Sequence, residues 1–292
     1  MLPDELLSKV RHIEITTRKL VDNLMSGSYK SNFKGAGVQF SEHRIYVAGD
    51  DVRHIDWKVS ARSREPLIKK YEEERELTVF LIVDVSASKG FGTTKKMKSE
   101  LAAEIAGMLA YAAAHAGDKV GMLMFAGKVE KIVPPKRGRQ HIMRIIRDIL
   151  SFQATTKGTD LKGALESAQR IMKHNGVVFV ISDFMAEDYE IPLKQLARRH
   201  DVIAINISDE RETDIPDVGQ ILLVDPETGD ERLVDTSSYN FKKWLKDFKT
   251  VHETDTQTAF KGGKVTMLSV KTKEDYGTAV VRFFGARARR RR

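Results

Sequence analysis

The sequence contains no cysteine, which excludes disulfides, thiolate zinc sites, iron–sulfur clusters and a cysteine nucleophile. That absence fits a reducing compartment. No apolar run approaches the roughly 20 residues a membrane-spanning helix needs. The longest candidates, around Leu77–Val85 and Leu101–Ala114, are short or carry charge. The opening MLPDELLSKV lacks a basic region followed by an apolar stretch, so no signal peptide is expected. A soluble cytoplasmic protein without a membrane span is the expectation. Catalytic signatures are missing too. There is no G-x-x-x-x-G-K-[ST] phosphate loop, no G-x-S-x-G nucleophile elbow and no H-E-x-x-H zinc helix. The histidines are scattered, without the paired spacing of metal ligands, and no internal repeat is present.

What is present is enough apolar residue for a core, 41%, with 31% charged residues to solvate its surface. The net charge of +8 is uneven, because Arg287, Arg289, Arg290, Arg291 and Arg292 leave only +3 for the rest. Such a tail either binds nucleic acid or anionic lipid, or is a disordered solvated end. The second is the expectation for 286–292.

The stretch that organises the chain is TVFLIVDVSASKGFG, Thr78–Gly92. An apolar, β-branched run bounded by glycine reads as a strand buried on both faces, as in a parallel sheet. Asp84, Ser86 and Ser88 then fall at its carboxyl end, where open α/β sheets place their ligands. The segments around it follow suit. Residues 4–25 have helical spacing, and 38–77 break into short β-like pieces. After Asp84, helices are expected at 95–116 (ending at Gly117), around Ile142–Leu150, from Asp160 (leaving at Gly176) and at IPLKQLARRH. Strands are expected at Val120–Phe125, Val129–Val133 (stopped by Pro134-Pro135), VVFVISDF and DVIAINISD.

Strands alternating with helices predict a doubly wound, mostly parallel α/β sheet over 77–208. An N-terminal helix and β extension occupy 1–76. Residues 209–285 supply a hairpin, a helix bearing Phe241, Trp244, Leu245 and Phe248, a last strand at Lys264–Val270 and a closing helix, Tyr276–Phe284.

Right-handed crossovers would bring two further segments to the edge that carries Asp84. Gly158-Thr159-Asp160 opens a helix, and Ser182-Asp183 ends a buried strand. Asp84, Ser86, Ser88, Thr159 and Asp183 could then converge as hard-oxygen donors for Mg²⁺, with Mn²⁺ as an alternative and water completing the shell. Neutral hydroxyls add no formal charge, so such an ion would favour one more acidic oxygen from outside. The other reading is that Asp84 and the serines cap a helix. A haloacid-dehalogenase-like phosphatase also begins with a strand-end Asp, but it needs a second Asp where Ser86 stands. A further polar block, GDDVRHIDWKVSAR (Gly49–Arg62), places Asp50, Asp51, Arg53, Asp56 and Arg62 within mutual reach. Trp57 is expected on the core. The block reads as a network fastening the β extension to the sheet, or as a docking surface.

Asp84-Val-Ser86-Ala-Ser88, GTDL at Gly158–Leu161 and SDF at Ser182–Phe184 resemble the metal-ion-dependent adhesion site of von Willebrand factor A domains. More narrowly, the chain resembles the bacterial family called domain of unknown function 58. The resemblance lies in Phe33–Arg62, Glu72–Ser88, Gly117–Phe125, Arg198–Glu212 and DPETG at Asp225–Gly229. Lys89 follows Ser88 where the wider class often has Met. The resemblance implies a Rossmann-like core with a metal on its upper edge, and work beside a MoxR-type AAA+ ATPase. The expected function is a metal-dependent protein-interaction module, an adaptor binding an acidic side chain of that ATPase or its client. Lys89 and Lys157 are placed to attract it. No enzyme activity and no nucleic-acid partner are expected. The alternatives are a metal-dependent hydrolase using Asp84 or Ser86, and nucleic-acid binding through the arginine tail.

Overall fold

The computed structural model describes residues 39–63, 65–72, 77–86, 97–209, 215–224, 230–261 and 264–290. They fall into two compact units, a small one within Lys34–Leu77 and a large one that includes everything from Thr78 on. The helix expected over 4–25 lies outside the described residues.

In the small unit, β1 (Gln39–Ile45) pairs antiparallel with β2 (Leu67–Glu72). Between them lie a 3-10 turn, Val52–His54, and the short helix α1 (Trp57–Ser63). Polar side chains hold this connection. Arg44 donates twice to Asp50, at 2.7 and 2.6 Å, and Asp51 caps the 3-10 turn while pairing with Arg53. Asp56 accepts from the amides of Lys58 and Val59 at the start of α1 and pairs with His43 and Lys69. These partners all belong to the small unit itself. Trp57 is not a core residue: it is 68% exposed.

The large unit is built on β3 (Thr78–Asp84), whose residues from Val79 onward are buried. The sheet also contains β4 (Lys119–Phe125), β5 (Val129–Lys136), β6 (Val177–Ser182), β7 (Asp201–Ser208) and β10 (Thr266–Lys271), in the order β10-β7-β6-β3-β4-β5. All neighbours are parallel except β4 and β5. From β3 the chain therefore builds outward one way through β4 and β5, then returns to build the other way through β6, β7 and β10. This is the doubly wound arrangement, with its reversal between β3 and β6. A separate hairpin, β8 (Gln220–Val224) with β9 (Glu231–Asp235), stands where the sequence indicated one; its expected turn lies largely outside the described residues.

Helices cover both faces. Phe80, Ile82, Leu123, Phe125, Val178 and Val180 pack with α4 (Leu161–Ile171), α5 (Glu190–Arg199) and the end of α6 (Tyr239–Lys261). The alternate residues of the same strands are also buried. On that side α2 (Lys98–His115) runs across β3, β4, β6 and β7 beside α3 (Arg139–Ser151). Phe179 meets Phe284 of α7 (Tyr276–Arg290) edge-on at 6.3 Å. Each fully buried Val, Ile or Phe side chain contributes about 1.5–3 kcal/mol, so the strands are fixed by two-sided burial.

Three further expectations change. β5 does not stop at Val133 but continues through Pro134 and Pro135 to Lys136. It is an edge strand, and the two prolines sit at a register shift where Val133 faces Met122 and Lys136 faces Val120; proline is tolerated at edges and bulges. Gly176 is not a helix cap, because α4 already ends at Ile171 and is capped by Met172. A Cβ on Gly176 would lie 2.4 Å from the Thr78 carbonyl oxygen, so its lack of a side chain admits β3. The closing helix runs on to Arg290. Residues 286–290 of the expected disordered tail are therefore helical, and Arg287 is buried in an ion pair with Asp201.

Candidate functional site

β3 ends in Asp84, opposite Phe125 at the end of β4. On its other side β6 ends in Ser182 and is followed by Asp183. The two acids thus emerge from neighbouring parallel strands at the point where the strand order reverses, the place where open α/β sheets form their ligand crevice. Both are nearly closed to solvent, with Asp84 at 1% and Asp183 at 4% exposure. A buried carboxylate requires partners, and these have them. Asp84 Oδ1 accepts from the Ser86 amide at 3.0 Å, and Asp84 Oδ2 accepts from the Ser182 hydroxyl at 2.7 Å. Asp183 Oδ1 accepts from the Met185 amide at 3.3 Å, and Asp183 Oδ2 receives Lys98 Nζ at 2.8 Å.

The turn after β6 is shaped for this. Phe184 adopts φ +58°, unusual for a residue with a side chain, and costing about 1–3 kcal/mol. The turn lets Phe184 enter the core against Tyr189 and Phe260 while Asp183 stays at the sheet edge. The Ser182 hydroxyl accepts the Phe184 amide at 3.1 Å, so one oxygen fixes both the turn and Asp84.

Thr159 reaches the same edge through β4. The Asp160 amide donates to the Ala126 carbonyl at 2.7 Å, one residue beyond β4. Asp160 caps α4 by accepting from the Gly163 amide. The loop before Thr159 lies so close to the β4–β5 turn that a Cβ on Gly127 would stand 2.0 Å from the Lys157 carbonyl oxygen. Glu130 of β5 clamps it from the side, accepting from the amides and hydroxyls of Thr155 and Thr156 at 2.6–3.0 Å. Those hydrogen bonds, Thr155 first, hold the Glu130 carboxyl down at about 2.

Of the five expected ligands, the structure brings Asp84 and Asp183 to adjoining strand ends. It leaves Ser86 buried two residues past Asp84 and puts Thr159 in the loop tied to the end of β4. Ser88 and Lys89 lie outside the described residues. Lys157 is exposed. The donor set suits a hard cation: a carboxylate, a buried serine and a threonine, all oxygen. Among the described residues no cluster of three or more His, Asp or Glu forms a metal site, so any ion here would depend on hydroxyls as well.

Three contributors lie outside the expected ligand set. Ser182 enters the sequence as the strand-ending residue of the SDF motif, without a role of its own, and Glu130 as part of a strand. Lys98 carries no motif, although it falls in the row of Leu101, Ile105 and Leu109, all buried in α2. A lysine in an apolar row of that spacing marks a buried charge with a partner.

Among the described residues no helix is long and apolar enough to cross a membrane. Among solved structures, the chain is similar to the conserved hypothetical protein BatB of Bacteroides thetaiotaomicron, at 18% identity and a TM-score of 0.48 over 73% of this chain and 99% of that one. It is also similar to the SpRpn10 VWA domain, at 11% identity and a TM-score of 0.41 over 70% and 93%. Among protein sequences, an uncharacterized protein of Mycobacterium tuberculosis is 32% identical over 98% of this chain and 90% of its own length. The uncharacterized protein YeaD of Bacillus subtilis is 27% identical over 36% of this chain and 24% of its own. The family model described as protein of unknown function DUF58 matches residues 42–255, most of the sheet and the whole constellation of Asp84, Ser86, Thr159 and Asp183, and the chain belongs to that family.

Proposed function

We propose that the carboxyl edge of β3 and β6 is a protein-docking site and that the protein is an adaptor rather than a catalyst. The observation that carries this reading is the placing of Asp84 and Asp183 side by side at the strand reversal, bridged through Ser182. Asp84, Ser86 and Thr159, with Ser88 by resemblance, would hold Mg²⁺ (or Mn²⁺), and Asp183 would lend its charge. Such an ion supplies a hard acceptor for one carboxylate oxygen from a partner. The chain's own part is to hold the oxygens rigidly. Ser182 and the Ser86 amide fix the Asp84 carboxylate, and Glu130 fixes the Thr159 loop. One carboxylate contact is too small for stable association, so surrounding loops must add area. By family resemblance the partner is a MoxR-type AAA+ ATPase or a client delivered to it, and placement in the cytoplasm belongs to the same proposal.

The hydrolase reading has less support, since the Asp84 carboxylate is held by the Ser86 amide and the Ser182 hydroxyl, and the Asp183 carboxylate by Lys98. The nucleic-acid reading loses one cation, because Arg287 is committed to Asp201. The deciding experiment measures binding to a MoxR-type AAA+ ATPase with and without Mg²⁺. Asp84→Ala and Thr159→Ala should each weaken it while circular dichroism stays unchanged. Binding that survives both substitutions and a chelator would move the docking point elsewhere. Trp57, Val47 and Val52, all exposed in the small unit, would then be the next residues to test.

A further inference from the structure

Lys98 is the first residue of α2, and its side chain is 1% exposed, as closed to water as the phenylalanines of the core. Its ammonium lies 2.8 Å from Asp183 Oδ2, and the Asp183 side chain is 5% exposed. Burying an ammonium is costly unless it meets a charge in good geometry. An apolar residue at this point of the Leu101–Ile105–Leu109 row would pack without that cost. The lysine is therefore an electrostatic element of the sheet edge, not a filler of space.

Its effect follows from charge. Two carboxylates would balance a divalent ion, but among the described residues Lys98 already neutralises one of them. The Lys98–Asp183 pair then offers no net negative charge to a doubly charged ion, and it sets an ammonium close by to repel it. We infer that Lys98 is the resident counter-cation of this edge, holding the affinity for a lone divalent ion low so that ion and acidic partner bind as a coupled pair. The inference rests on the metal reading proposed above. An incoming carboxylate supplies the missing negative charge, so it raises the affinity for the ion. By linkage, the ion raises the affinity for the carboxylate by the same factor. Lys98 in this account acts through Asp183 and the local field and touches neither ion nor partner.

The test uses the full chain and Mn²⁺ as the probe, with acetate as the minimal carboxylate, at constant ionic strength. Binding is read by calorimetry and by the Mn²⁺ electron paramagnetic resonance signal. Wild type should bind Mn²⁺ weakly alone and several-fold more tightly with acetate. Lys98→Met, close in volume, should bind Mn²⁺ alone about tenfold or more tightly, since unit charges interact strongly at such distances. The acetate effect should shrink in the same variant. Lys98→Gln, which can still donate to Asp183, should shift in the same direction and serves if the Met variant fails to fold, as judged by circular dichroism and melting. Lys98→Met/Asp183→Asn restores the net charge and should return to weak binding. If Lys98→Met and Lys98→Gln bind Mn²⁺ as wild type does, with the acetate effect intact, the inference is overturned and the metal reading stands. If no form binds Mn²⁺ with or without acetate, the metal reading itself falls and the inference with it.

Discussion

The Ser182 hydroxyl donates to Asp84 Oδ2 at 2.7 Å and so joins two strand ends 98 positions apart in the sequence. The contact sits where the strand order reverses, and it ties the geometry of one acid to the residue beside the other. Asp84→Asn keeps the shape of the carboxyl while removing its charge. It should abolish Mn²⁺ binding by calorimetry and leave the circular dichroism spectrum as it was. Retained binding would place any ion away from Asp84. Ser182→Ala, by contrast, should leave some binding while costing about 1–3 kcal/mol in urea denaturation, because a buried carboxylate oxygen loses its donor.

Lys98 and Asp183 make a buried pair whose halves are not independently dispensable. Asp183→Asn alone should destabilise the fold by up to about 3–5 kcal/mol, since it removes a charge partner of a buried ammonium. Adding Lys98→Met should recover much of that loss in the same denaturation experiment. Additive costs in the double variant would mean the two charges do not depend on each other.

Glu130 holds the loop that leads to Thr159. Its folded-state pKa is depressed to about 2 by the Thr155 and Thr156 hydrogen bonds. The contribution is therefore fully present above the ordinary glutamate range near 4.3 and is lost as pH falls through about 2. Glu130→Gln should flatten acid unfolding between those limits. At neutral pH it should speed hydrogen exchange at the Thr155 and Thr156 amides, with exchange measured by NMR. Unchanged exchange would show that the loop is held by something else.

His200 titrates in the opposite part of the range. Burial, and then the positive charge of Arg199, push its imidazole below the usual histidine value. Arg198, Lys264 and Arg287 line the same cavity, with Asp201 the carboxylate among the lining residues. A depressed folded-state value means that the stabilising neutral form is complete above about 6.5 and that stability falls as pH drops below it. The wild-type melting temperature should therefore decline between pH 7.5 and 5, and His200→Gln should decline less. Parallel curves would assign the decline to other groups.

Trp57 is two-thirds exposed, so Trp57→Ala should change stability by no more than about 0.5 kcal/mol. A loss of several kcal/mol by urea denaturation would return this indole to a core.

The sheet was legible because β3 and β6 carry apolar residues on both faces, a pattern that a half-exposed strand cannot afford. Asp84 and Asp183 were legible for the same reason, as acids ending runs that otherwise exclude charge. Lys98 was not, because lysine is read as solvated by default, and only its register with Leu101 and Ile105 betrays it. Pro134-Pro135 misled because proline stops a strand only where its missing N–H was needed, and on an edge it is not. Trp57 misled in the other direction, since an aromatic ring is expected inside. Arg287 looked like one more tail charge, and only tertiary structure shows that Asp201 waits for it at the start of β7.

The two prolines of β5 also bear on how molecules of this protein behave at high concentration. An open sheet presents hydrogen-bonding groups along its outer strands, and these can recruit a strand from another molecule. Pro134 and Pro135 carry no amide hydrogen, and they sit where the register with β4 shifts. Those two positions offer an approaching strand no donor and no continuous ladder. Sheet extension is thus disfavoured along this stretch by covalent structure, whatever the state of the site on the carboxyl edge.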